Sequence, residues 1–121
     1  MRLNLFKRSE AKAPLIDGVA RIRIDEKRLS AANVDALKEK LLPLIANKKN
    51  AVLECDQLTF IDSSGLGFLV SLRNSMIAPK KVVLEGISDP TLIELIKLTR
   101  MDQVFLLSAS QNETSVLLKA S

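Results

Sequence analysis

The sequence has no histidine among its 121 residues. That absence removes Ser–His nucleophilic catalysis and takes imidazole out of any zinc ligand set. Tryptophan and tyrosine are missing too, so four phenylalanines make up the whole aromatic complement. The core must then be aliphatic, and no aromatics interleave with the basic residues to stack single-stranded bases. A single cysteine, Cys55, excludes an internal disulfide and suits a reducing compartment. It lies in an apolar strand and reads as a small buried hydrophobe. No apolar run reaches signal-peptide length or the ~20 residues that span a bilayer. The expectation is a soluble cytoplasmic protein without membrane insertion.

What is present is enough apolar material for a core, 47% of the residues, in a chain of one-domain length. We read residues 1–121 as a single domain, with 1–17 supplying a possible first strand and a loose loop. The formal charge of +4 is uneven. The first sixty residues carry 12 Lys/Arg against 8 Asp/Glu, and the remainder carries 6 of each. The excess peaks at Met1–Lys12 and at Lys27-Arg28. Two readings fit it: an acidic or nucleic-acid partner, or solvated surface around a loose N-terminus.

Leu3–Lys7 alternates weakly as a strand, and Asp17-Gly18 signals a tight turn. The partner of that turn is either Leu3–Lys7 or Pro14–Ile16. Val19–Ile24 alternates with its arginines on one face. Ser30 is an N-cap candidate for a helix from Ala31 to about Ala46, with Val34, Leu37, Leu41, Leu44 and Ile45 on its apolar face. Pro43 predicts a kink or early end there. Strands follow at Ala51–Cys55, Lys81–Glu85 and Val104–Leu107. A helix begins at Asp89-Pro90 and runs to about Arg100. A short terminal helix, Asn112 to about Lys119, docks through Val116 and Leu117. The order β-β-α-β-α-β-α-β-α predicts an α/β fold, a four- to five-stranded mixed sheet flanked by about four helices. Ile22, Ile24, Val52, Leu53, Val83 and Leu84 are its expected core, with Val34, Leu37 and Leu41 packed on the sheet.

The most informative stretch is Phe60-Ile61-Asp62-Ser63-Ser64-Gly65-Leu66-Gly67. An apolar strand leads to it and an apolar helix, Leu66–Ile77, leaves it. Two hydroxyls thus stand among the free N–H groups of a helix start, where the dipole favours negative charge. Asp62-Ser63-Ser64-Gly65 admits three readings. It is a capped helix start, since Asp, Ser and Gly are cap and turn residues. As a catalytic serine it lacks the Gly-x-Ser-x-Gly elbow, histidine and any lysine close in sequence. As a phosphate-linked switch it would receive the phosphate in a prepared place. Gly65-Leu66-Gly67 has neither the Gly-Lys-Ser/Thr ending nor the Gly-x-Gly-x-x-Gly spacing of phosphate-binding loops, so the chain suits a kinase substrate better than a kinase. Leu66, Phe68, Leu69, Val70, Leu72, Met76 and Ile77 cover about 200° of the helix, wider than one sheet contact needs. The surplus is either extra core or an exposed docking patch.

Asp-Ser-Ser-Gly-Leu-Gly after an apolar strand resembles the signature of the bacterial STAS-domain anti-sigma factor antagonists. Arg28-Leu29-Ser30-Ala31-Ala32-Asn33 and Leu95–Phe105 resemble two further parts of that family, so the likeness spans roughly residues 18–118. The resemblance implies a regulatory binding module, not an enzyme. It would bind an anti-sigma factor and so free a sigma factor. Where that partner is a serine kinase, phosphorylation of Ser63 would end the binding and a phosphatase would restore it. The partner supplies ATP, so no cofactor is implied, nor a metal. The implied partner surface comprises Asp62, Ser63, Ser64, Gly65, Leu66, Gly67, Phe68 and Ser30, on a monomer or weak dimer without direct nucleic-acid binding. Many relatives carry Gly-x-Leu-Asp where this chain has Lys27-Arg28-Leu29-Ser30, a lost acid that bears on partner choice. The alternative is a non-phosphorylated STAS accessory subunit of a transporter or other signalling complex.

Overall fold

A computed structural model describes residues 19–119. The expected strand Leu3–Lys7 and the turn at Asp17-Gly18 lie outside the described residues. Four strands form one sheet in the order β1-β3-β5-β6: β1 Val19–Arg23, β3 Asn50–Glu54, β5 Lys81–Glu85 and β6 Leu106–Ser108. Among the described residues, every pairing in it is parallel. A second, two-stranded ribbon joins β2 Arg28–Leu29 to β4 Phe60–Ile61, also parallel. Parallel neighbours need crossovers, and helices provide them. They are α1 Val34–Ile45, α2 Ser63–Asn74 and α3 Pro90–Leu98, with α4 Gln111–Lys119 closing the chain.

Alternation along the strands splits the core between the two faces of the sheet. Ala20, Ile22, Ala51, Leu53, Val82 and Leu84 pack under α1, α2 and α3. Val19, Val52 and Val83 form a smaller cluster on the opposite face, with Leu106 and Leu118 against it. All six strand residues expected in the core are buried, as are Val34 and Leu41, and Leu37 packs on the core half-buried. Cys55 is buried, and burial together with the Asp56 carboxylate pushes its thiol pKa up.

Several elements differ from the sequence reading. Helix α1 begins at Val34, with Asn33 rather than Ser30 in the cap position. The Asn33 amide holds the preceding loop, accepting from the Ser30 N–H at 3.0 Å and donating to the Arg28 carbonyl at 2.8 Å. The Ser30 hydroxyl stays within its own turn, accepting from the Ala32 N–H at 3.3 Å. Pro43 lies inside the helix, which ends two residues later. Leu44 is exposed, while Leu42 packs against the core. A short 3-10 turn, Met101–Gln103, delays the last strand, so Phe105 enters the core just before β6.

The clearest correction is at α4, where Val116 is 67% exposed instead of docking. Thr114 takes that role at 1% exposed, and Leu118 sits one turn further on. A polar network sets this rotation. Glu54 and Glu85 face one another across β3 and β5, a like-charged pair that repels on its own. The Arg21 Nη1 donates to both carboxylates, at 3.0 and 2.8 Å. The Thr114 hydroxyl donates to Glu85 at 2.6 Å and lies 2.7 Å from the Ser108 hydroxyl. Arg21, Glu54 and Glu85 are each only 7% exposed.

Removing one member of a buried ion group leaves uncompensated charge behind. Arg21→Met is therefore expected to destabilise the chain by about 3–5 kcal/mol in urea unfolding. The thiol supplies a second check. Cys55 in the native chain is expected to resist a thiol reagent at neutral to mildly alkaline pH and to react fully once denatured.

Candidate functional site

The site lies where the β2–β4 ribbon meets the start of α2. After Ile61 the chain makes one more ribbon bond, the Asp62 N–H donating to the Leu29 carbonyl at 3.1 Å. Asp62 is extended and is the N-cap of α2. Its Oδ1 accepts from the Gly65 N–H at 2.9 Å, and Oδ2 lies 3.4 Å from the Ala31 N–H. One carboxylate thereby caps α2 and ties it to the turn ahead of α1. Helix geometry leaves the N–H groups of Ser63 and Ser64 without intrahelical acceptors. The positive end of the helix is open at those two residues.

The two glycines of the signature have different jobs. A Cβ on Gly65 would lie 2.5 Å from the Leu29 carbonyl oxygen and 2.7 Å from the Ile61 Cγ2. Only glycine lets α2 start this close to the ribbon. A Cβ on Gly67 would meet nothing within 4 Å. Gly67 is exposed on the outer side of the helix.

The candidate residues divide by exposure. Ser63 and Gly67 are exposed, while Asp62, Ser64, Leu66 and Ser30 are half-buried. Gly65 and Phe68 are buried, so the Phe68 side chain supports this surface from within the core. The wide apolar arc of α2 is mostly core. Phe68, Leu69 and Leu72 are buried, and Leu66 and Val70 pack against them half-buried. The arc is wide because the helix packs against α1 as well as the sheet side of the core. Ile77, beyond the helix, is exposed.

Two neighbours escaped the sequence reading of the site. The Arg28 guanidinium lies 4.0 Å from the centre of the Phe60 ring, directly across the ribbon. Phe60 is 37% exposed, whereas its neighbour Ile61 is buried. The alternation of Phe60, Ile61 and Asp62 carried that signal, although a two-residue strand is too short to stand out. Asn33 was also missed. It orders the loop that brings Ala31 to Asp62.

Fold and site together define a small α/β module with a capped, serine-bearing helix start at its surface. The STAS domain model matches residues 10–114, and the chain belongs to that family. Solved structures agree on the fold. An anti-sigma factor antagonist from Mycobacterium paratuberculosis is 17% identical with a TM-score of 0.74, over 91% of this chain and 93% of that one. The anti-sigma factor antagonist SpoIIAA in its unphosphorylated form is 18% identical with a TM-score of 0.70, over 91% and 95%. A sulfate transporter family protein from Wolinella succinogenes is 16% identical with a TM-score of 0.65, over 90% and 93%. At these identities the likeness is one of fold. Among the described residues, no helix is long and apolar enough to cross a membrane.

The two glycines give a paired prediction. Gly65→Ala has no room between the α2 backbone and Leu29 and is expected to lower stability by about 1–3 kcal/mol or more. Gly67→Ala is expected to raise it by about 0.5–1 kcal/mol, since alanine loses less backbone entropy in a helix. Thermal melts of both variants test the contrast. Equal effects would remove the close approach as the reason for Gly65.

Proposed function

We propose that this chain is an anti-sigma factor antagonist, a single-domain cytoplasmic binding module without enzymatic activity, switched by phosphorylation at Ser63. The observation that carries this reading is the placement of Ser63. It is the first residue of α2, exposed, beside the Asp62 cap and above the buried Gly65–Leu29 contact. An exposed serine at this position would be open to a partner kinase. Unphosphorylated, this surface binds the anti-sigma factor and releases the sigma factor. The partner, where it is a serine kinase, brings the ATP and transfers its γ-phosphoryl group to the Ser63 oxygen. A phosphatase resets the chain.

The physical effect of that phosphate separates fold from interface. The open N–H groups and dipole of α2 accept negative charge, so the fold tolerates the modification. An interface built on the same surface does not. It meets a charge of about −1.5 to −2 beside the Asp62 carboxylate and must desolvate both.

Ser63→Asp is expected to weaken binding to the anti-sigma factor recovered with the tagged chain, though less than phosphate does, because it adds only about one charge. Ser63→Ala keeps binding and loses phosphorylation. Titration of both variants, with melts to establish folding, reads the outcome. A folded Ser63→Asp chain that binds like wild type, with no phosphate at Ser63 when partner and ATP are supplied, would sink the switch.

The fold likeness to a sulfate transporter family protein favours a second reading, a STAS accessory subunit of a transporter that works without phosphorylation. A phosphosite search in cell extract separates the two. Phosphate at Ser63 favours the switch, and its absence under all growth conditions favours the accessory subunit.

A further inference from the structure

Among the described residues, the two cations on the ribbon have no ion-pair counterpart. Lys27 and Arg28 are both exposed, one strand away from the start of α2. Among the described residues neither makes an ion pair, whereas Arg21 and Arg23 on β1 are both paired to carboxylates. The acids around them have other partners: Glu26 accepts from the Asn33 amide at 3.2 Å, Asp25 lies in the field of Arg23, and Asp62 is occupied by the N–H groups of Gly65 and Ala31. The Arg28 guanidinium rests on the Phe60 ring, 4.0 Å from its centre. An arginine stacked on an aromatic face is pre-organised, so it binds a carboxylate without first giving up the freedom of a long side chain. The exposed ring beside it offers an apolar contact to whatever side chain accompanies that carboxylate. Lys27 is held from below, its carbonyl accepting from the Thr59 N–H at 2.8 Å and the Phe60 N–H at 3.2 Å. The charge is therefore carried by a backbone locked to β4 and not by a loose tail.

We propose that Arg28, stacked on Phe60 and assisted by Lys27, is the anchor for an acidic segment of the partner protein, one that presents a carboxylate next to an aliphatic side chain. This rests on the reading of the Ser63 surface as the docking face, and it adds the chemistry of what docks there. A protein carboxylate is favoured over a nucleic-acid phosphate because the site is compact. It comprises one stacked arginine, one lysine and one ring, and the other phenylalanines among the described residues, Phe68 and Phe105, are buried and offer no face to successive bases. The anchor also makes partner choice depend on charge sign. A cationic partner surface is repelled at Lys27 and Arg28, and an acidic one is drawn in, with screening by salt.

The test uses the full chain, labelled with nitrogen-15, and two capped synthetic peptides. One contains the run Glu-Leu-Glu-Glu-Leu, and the other has glutamine in place of each glutamate. The acidic peptide is expected to shift the amide resonances of Arg28, Phe60 and Ser63 saturably, and less at high salt. Arg28→Glu is expected to weaken it by about tenfold or more, and Phe60→Ala by less. Far-UV circular dichroism checks that both variants fold. Equal binding of the glutamine peptide, unchanged binding to folded Arg28→Glu, or shifts centred on Lys48 and Lys49 instead would overturn the proposal. So would tighter, salt-dependent binding of a thymidine oligonucleotide at Arg28, which would assign the site to a phosphate backbone. Phosphorylation is read separately. Peptide binding through Arg28 with no phosphate ever found at Ser63 removes the switch and keeps the anchor. Phosphate at Ser63 with peptide binding indifferent to Arg28 does the reverse.

Discussion

The carbonyl group of Leu29 is the point on which the candidate site turns. It accepts from the Asp62 N–H, and the Cα of Gly65 sits so close that no side chain fits between them. Two segments about thirty residues apart in sequence are thereby locked edge to end. The ribbon cannot shift without moving the first turn of α2, and α2 cannot tilt without meeting Leu29. Asp62 adds a third tie, because its carboxylate holds the helix start with one oxygen and reaches Ala31 with the other. Ser63, exposed, stands between two anchored neighbours, Asp62 and Gly65.

The two faces of the sheet are built differently. The face under α1, α2 and α3 is a continuous aliphatic layer, and burial of its side chains supplies most of the driving force for folding. The other face has a short row of valines and then a run of charge. Arg21 lies between two glutamates that adjacent strands force side by side, and Thr114 on α4 completes the set. Such a group adds little net stability, since desolvation opposes the Coulomb gain. Its effect is geometric. It fixes which side of α4 turns inward, and the few apolar residues of that helix follow.

Position also bears on the proposed switch at Ser63. Negative charge at the first residue of a helix is favourable for the helix. The same charge on a docking surface is unfavourable for the complex. A switch placed there changes binding without unfolding the protein. The stacked Arg28 and Phe60 belong to the ribbon instead of the helix, so in the proposed switch the charge of the partner and that of the modification would be read by different elements.

The α/β alternation, the burial of Ile22, Leu53 and Leu84, and a capped helix start within Asp62–Gly65 followed from the sequence alone, because period, propensity and capping act between near neighbours. The structure chose Asp62 as the cap and began the helix at Ser63, ahead of the expected Leu66. The family was legible too, since the Asp62–Gly67 signature is a contiguous stretch. What the sequence could not decide depends on contacts between distant segments. The β2–β4 ribbon is two residues per strand and exists only because its partners meet. Helix α1 starts at Val34 instead of Ala31, and the Asn33 amide turns back to the Arg28 carbonyl without capping the helix. Val116 turned outward because Thr114 found Glu85, 29 residues earlier in the chain. Gly65 and Gly67 look alike in the sequence, and only the backbone of Leu29 makes one indispensable and leaves the other free.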